Sequence, residues 1–158
     1  MSGAPDGIDP TTGLYAAEHF TVVARQQVAS ARRSLQPVSV VCFTIDDVAA
    51  DEAALALVAE IVLQTLRESD ASFRLDGRRI ASVLEDTGEE GAVWAARRVR
   101  SALLAAPGGP RCTVSAGIAC YPEHALDAAE LVDRAVHALD APGGSGTDRV
   151  VIAGASGA

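Results

Sequence analysis

"SFRLDGRRIASVL", residues 72–84, decides how this chain folds. Residues that suit strands stand on both sides of Asp76-Gly77, a dipeptide favoured in tight two-residue hairpin turns. The stretch reads as two antiparallel strands, near 71–76 and 79–84. Long helical patterns lie before and after it, so the hairpin belongs to a sheet covered by helices. Just past its tip sit Arg78 and Arg79, a doubled positive charge in a chain of net charge −8.

Upstream of the hairpin, "VSVVCFTI" (38–45) is β-branched and almost continuously apolar, as a strand buried on both faces requires. A helix over about 14–35 precedes it, with Phe20, Val23, Ala24, Val28, Ala31 and Leu35 on one face; Pro37 stops it. A second helix, near 51–68, would bury Leu55, Val58, Ala59, Val62 and Leu66. Downstream, "EDTGEE" places acids in the first turn of a helix that runs to about Ala105, buried through Val93, Ala96, Val99 and Leu103. "RCTVSAGIACY" alternates, with Val114, Ala116, Ile118 and Cys120 on one face. A helix over about 126–140, the loop "PGGSGTD" and a closing strand "RVVIA" complete the chain. The order α-β-α-β-β-α-β-α-β predicts an α+β fold: one mixed five-stranded sheet flanked by four helices. Residues 9–153 form a single domain, with loose ends at 1–8 and 154–158.

At 158 residues and 49% hydrophobic, the chain can bury a real core, and wholesale disorder is excluded. Aromatics make up only 4%, so that core is aliphatic. The acidic balance argues against broad binding to nucleic acid or to an anionic membrane. Cys42, Cys112 and Cys120 are odd in number and show no metal-site spacing; they read as reduced, buried thiols. No signal peptide is recognisable at the start, and the longest apolar run, "VSVVCF", is too short to span a bilayer. These features predict a cytoplasmic protein with no resident metal or cofactor. His19, His124 and His137 have no nucleophile or ligand pattern around them and read as surface or partly buried. Trp94 reads equally as core or as a contact residue.

Five stretches together carry a resemblance: "DPTTGLY" (9–15), "VVCFTIDD" (40–47), "RESDASFRLDGRRI" (67–80), "TVSAGIACYP" (113–122) and "ELVDRAVHALD" (130–140). In order and spacing they resemble the GGDEF domain, the diguanylate cyclase domain that joins two GTP molecules into cyclic di-GMP. The resemblance implies a palm-type sheet with a ferredoxin-like core. It also implies that the family signature falls on Asp76, Gly77, Arg78, Arg79 and Ile80, a degenerate version. The reaction drives a 3′-hydroxyl onto an α-phosphate and needs carboxylate-held divalent metal to neutralise the triphosphate. In the family one carboxylate stands at the position of Arg78 and another at that of Thr44. A cation ~4 Å from a metal ion is repelled by more than ~1 kcal/mol even in a water-like dielectric. Asp46 and Asp47 follow the strand, but Asp46 matches a different family position. The loop that reads guanine is shorter here, and only Glu52 approximates its acid. The family's phosphate-binding lysine aligns with Asp140, and Ala16-Ala17 replaces its Asn-Arg. The implied protein has lost the cyclase reaction.

One family feature is retained. Arg67-Glu68-Ser69-Asp70 matches the inhibitory product site Arg-x-x-Asp, and Arg98 aligns with a further arginine of that site. By resemblance, Arg67, Asp70 and Arg98 bind cyclic di-GMP: a guanidinium fork can donate to guanine O6 and N7, and a carboxylate can accept from its N1–H edge. The alternative is a solvated surface pair on a domain that binds no nucleotide and serves as an interaction or dimerisation module, with a homodimer or another protein as partner. A working cyclase is the least favoured reading. Arg78 and Arg79 are either exposed charges that discourage edge pairing or contacts to a partner's acids or phosphate.

Overall fold

The structure, a computed structural model, describes residues 7–46, 51–107, 112–140 and 149–154. Its strands are β1 (Tyr15–Ala16), β2 (Val38–Ile45), β3 (Ala71–Arg74), β4 (Arg79–Glu85), β5 (Val114–Tyr121) and β6 (Val150–Ile152). Its α-helices are α1 (Phe20–Ser34), α2 (Glu52–Thr65), α3 (Glu89–Leu104) and α4 (Ala128–His137). One sheet contains all six strands of the described residues, in the order β1-β3-β4-β2-β5-β6. Its middle, β2-α2-β3-β4-α3-β5, has the split βαβ connectivity of a ferredoxin-like fold. The pairs β3–β4, β4–β2 and β2–β5 are antiparallel, while β1–β3 and β5–β6 are parallel. The α+β palm-like architecture is thus present, with one strand more than the five expected.

The period of two in a strand divides β2 between two cores. Val41, Phe43 and Ile45 join Leu55, Val58 and Val62 of α2 and Ala96 and Val99 of α3. Val38 and Val40 face Phe20, Ala24 and Val28 of α1 and Leu131 and Ala135 of α4. Two helices cover each face, so the central strands are buried on both sides, as the apolar run 38–45 requires.

Three local expectations change. The first helix does not start at residue 14. Gly13 takes φ +75°, a left-handed turn that lays Tyr15 and Ala16 beside Phe73 and Arg74 as a parallel edge strand. The Tyr15 ring lies 5.5 Å from Phe73, and a 3₁₀ turn, Ala17–His19, leads into α1. Leu35 is not core: it caps α1 at φ 58° and is 89% exposed. On α3 the buried stripe is Ala92, Ala95, Ala96, Val99 and Leu103, with Val93 only half-buried and Trp94 outside.

The "SAGIA" stretch of β5 has a steric reason. A Cβ on Gly117 would stand 2.4 Å from the carbonyl oxygen of Ala135 and 3.1 Å from the Cβ of Ala138. Only glycine lets the end of α4 lie this close to the central sheet. The three cysteines are buried and none forms a disulfide, as expected.

Candidate functional site

The hairpin tip is broader than a two-residue turn. The strands end at Arg74 and Arg79, and Gly77 does not occupy the positive-φ region that a type I′ turn demands. Asp76 organises the bend instead. Its Oδ1 accepts from the backbone N–H groups of Arg78 and Arg79, both at 2.8 Å, and its Oδ2 accepts from Arg79 Nε at 2.8 Å. Burial pushes the Asp76 carboxyl up, but the Arg78 backbone bond and the Arg79 guanidinium outweigh it and hold the group below its usual range.

Neither arginine of the tip extends freely into solvent. Arg79 is paired with Asp76. Arg78 folds back on the end of β2: Nη2 donates to Ile45 O at 2.8 Å and Asp46 O at 3.3 Å, and Nε donates to Ile45 O at 3.2 Å. The main chain repeats the link, because Ile45 N donates to Arg78 O at 2.9 Å. Thr44, one residue earlier, pairs across the sheet with Arg79 and Ser115. The Asp46 carboxylate accepts from Thr113 Oγ1 at 2.6 Å and Ser115 Oγ at 2.8 Å. The strand end offers a cation two carbonyl oxygens, and a guanidinium takes both. These residues do not fit a divalent metal.

Glu52 is equally engaged. Arg74 holds it through both carboxylate oxygens, at 2.7 and 3.3 Å, and also reaches Asp9 at 3.2 Å. Asp47 lies outside the described residues, as do the rest of the loop 47–50 and the stretch 141–148. Asp140 closes a 3₁₀ turn, but its side chain lies outside the description.

Arg67 and Asp70 come together after α2. Asp70 N–H donates to Arg67 O at 3.0 Å, closing a turn. The Asp70 carboxylate, only 4% exposed, accepts from Arg67 N at 3.0 Å and from Glu85 N at 3.2 Å, tying the turn to the end of β4. The Arg67 side chain is 58% exposed; its Nη2 donates to Glu85 O and to Thr87 Oγ1 (2.9 Å), and lies 3.5 Å from Asp70. Among the described residues its Nε and Nη1 have no acceptor.

This pair stands between two cavities. One, of about 290 Å³, is lined by Arg67, Asp70, Thr87, Gly91 and Trp94. The other, also about 290 Å³, is lined by Arg67, Asp70, Tyr15 and Leu63. Arg98 is not brought into either lining. It sits one helical turn beyond Trp94, with its guanidinium carbon 5.3 Å from the Trp94 ring centre. Trp94 is 60% exposed and so lies outside the core, one of the two places the sequence left open for it.

Glu89, Glu123 and His124 bring potential ligand atoms within 4.8 Å of one another. The arrangement does not suit a metal. His124 is buried, more deeply than the surface or partly buried position expected, and its Nδ1 accepts from Cys120 N at 2.9 Å. The ring proton therefore sits on Nε2, the atom that faces Glu89 at 3.9 Å. Burial first, then Glu123 and Glu89, push the neighbouring Cys120 thiol up to about 11 against a hydrogen bond from Ser39, so it is no nucleophile at neutral pH.

Residues 7–149 match the family described as "Diguanylate cyclase, GGDEF domain". No curated protein matches the chain. Among solved structures it is similar to the GGDEF domain of TpbB (YfiN) from Pseudomonas aeruginosa, at 22% identity and TM-score 0.84, over 93% of this chain and 94% of that one. It is similar to the GGDEF domain of DgcB from Caulobacter crescentus, solved in complex with c-di-GMP, at 17% identity and TM-score 0.83, over 97% and 96%. A third likeness is the diguanylate cyclase SiaD from Pseudomonas aeruginosa, in complex with its activator SiaC, at 23% identity and TM-score 0.80, over 94% of this chain and 62% of that one.

Proposed function

Because the chain belongs to the diguanylate cyclase GGDEF-domain family, we propose that it works in cyclic di-GMP signalling as a catalytically silent receptor. The observation that carries the silence is Arg78 on the carbonyls of Ile45 and Asp46. A positive group fixed there opposes a divalent cation by Coulomb repulsion and also removes its oxygen ligands. Thr44 supplies a neutral hydroxyl, and the Asp46 carboxylate is committed to two hydroxyl donors. Glu52, which approximates the family's guanine-reading acid, is paired with Arg74. Without metal the charge on an attacked triphosphate is not offset.

The receptor half rests on Arg67. It is exposed and borders two cavities, and two of its guanidinium nitrogens remain available to a guanine edge or a phosphate. That DgcB from Caulobacter crescentus was solved with c-di-GMP makes the ligand a reasonable one for a relative of the same fold. One specific observation favours a second reading, a nucleotide-independent interaction module. The Asp70 carboxylate is nearly buried and spent on backbone N–H groups, which is what a purely structural turn needs. The SiaD–SiaC complex gives that reading its precedent in a relative.

Incubation of the protein with GTP and Mg²⁺ or Mn²⁺, followed by chromatography, tests the lost chemistry. No cyclic di-GMP above the protein-free blank is expected. Product formation at the wild-type tip overturns the reading.

A further inference from the structure

The cavity beside Arg67 has a wall that the family resemblance does not account for. Trp94 is the single tryptophan of the chain, is 60% exposed, and lines the same cavity as Arg67 and Asp70. A large ring left in water forfeits the burial a tryptophan ordinarily gains. The stripe of small residues Ala92, Ala95 and Ala96 buries α3 without its help. In a helix a side chain lies over the turn N-terminal to its own Cα. For Trp94 that turn contains Gly91, which also lines the cavity and has no side chain to fill it. A Cβ on Gly91 would come within 2.9 Å of Thr87 Cγ2, and Thr87 is one of the residues that hold Arg67. The bay between Trp94 and Arg67 is therefore kept open by a glycine.

We infer that Trp94 is the base-stacking platform of this site, with Arg98 over its ring, and that Arg67 reads the edge or phosphate of the base stacked there. This rests on the proposed cyclic di-GMP reading and adds to it a recognition residue. Aromatic rings bind nucleobases through their π-faces, and a nearby arginine strengthens such a stack. Asp70 then serves the site by holding the turn that presents Arg67. Arg98 contributes through the ring, consistent with its absence from the cavity lining. The chemistry that fits is a planar purine carrying phosphate.

The single tryptophan makes the test direct. Cyclic di-GMP is titrated into the wild-type protein while binding heat and Trp94 emission are followed separately. Trp94→Ala and Trp94→Phe are titrated by heat. A saturable quench that tracks the heat is expected, with affinity about tenfold weaker in Trp94→Ala and largely kept in Trp94→Phe. Trp94 is at the surface, so both variants retain the fold, as circular dichroism checks. Heat without any change in emission, or full affinity in Trp94→Ala, overturns the platform and leaves the receptor reading standing. The absence of heat in the wild type overturns both.

Discussion

Asp76 determines the shape of the tip through its carboxylate, and that makes the tip acid-sensitive. Its folded pKa lies below the usual value, as does that of Asp9, where burial is outweighed by bonds from Thr12 and Arg74. A carboxyl with a depressed folded pKa stabilises the protein above its unfolded pKa, ~3.9, and loses that contribution as pH falls through the folded value. Thermal melts should therefore be level near neutrality and decline below pH ~4, with a shallower decline in Asp76→Asn. An unchanged acid slope in that variant would contradict the role given to Asp76. The sequence showed that residue 76 turns the chain, because Asp-Gly is a local signal. It could not show where Arg78 goes, since its acceptor lies 33 residues away and belongs to the sheet.

Elements with a strong period were legible, and those that depend on a neighbour were not. The run Val38–Ile45 came out with the bounds read from its β-branched residues. A two-residue strand such as Tyr15–Ala16 has no period to read; it exists because Gly13 turns the chain and β3 accepts it. The buried stripe of α3 was misplaced by one residue at Val93, because alanines go inside without an apolar signature. Gly117 shows how tightly two elements can be coupled. Gly117→Ala must push α4 off β5, since the new Cβ would meet a backbone carbonyl at 2.4 Å. A loss of about 1–3 kcal/mol is expected by urea unfolding. Gly77→Ala, where a Cβ meets nothing within 4 Å, serves as the matched control and should stay near wild type. Equal stability of the two variants would remove the packing argument.

The whole molecule places two chemically different spots at opposite ends of the β3–β4 hairpin. At the tip, Arg78 donates to the strand-end carbonyls of Ile45 and Asp46. At the base, Arg67 joins the turn after α2 to the end of β4 and opens onto two cavities. Residue order pointed to both stretches, because the fold sets the spacing of its motifs. The Trp94 wall escaped it, because exposure on a helix is decided by what the rest of the sheet leaves uncovered. Among the described residues no helix is long and apolar enough to cross a membrane. The proposed receptor role is carried by binding at Arg67. Titration calorimetry with cyclic di-GMP on wild type and Arg67→Ala is therefore the decisive measurement. The account predicts saturable heat in the wild type that is lost in Arg67→Ala, a variant whose melting temperature stays close to wild type; equal heat in both, or none in the wild type at high micromolar ligand, would contradict it.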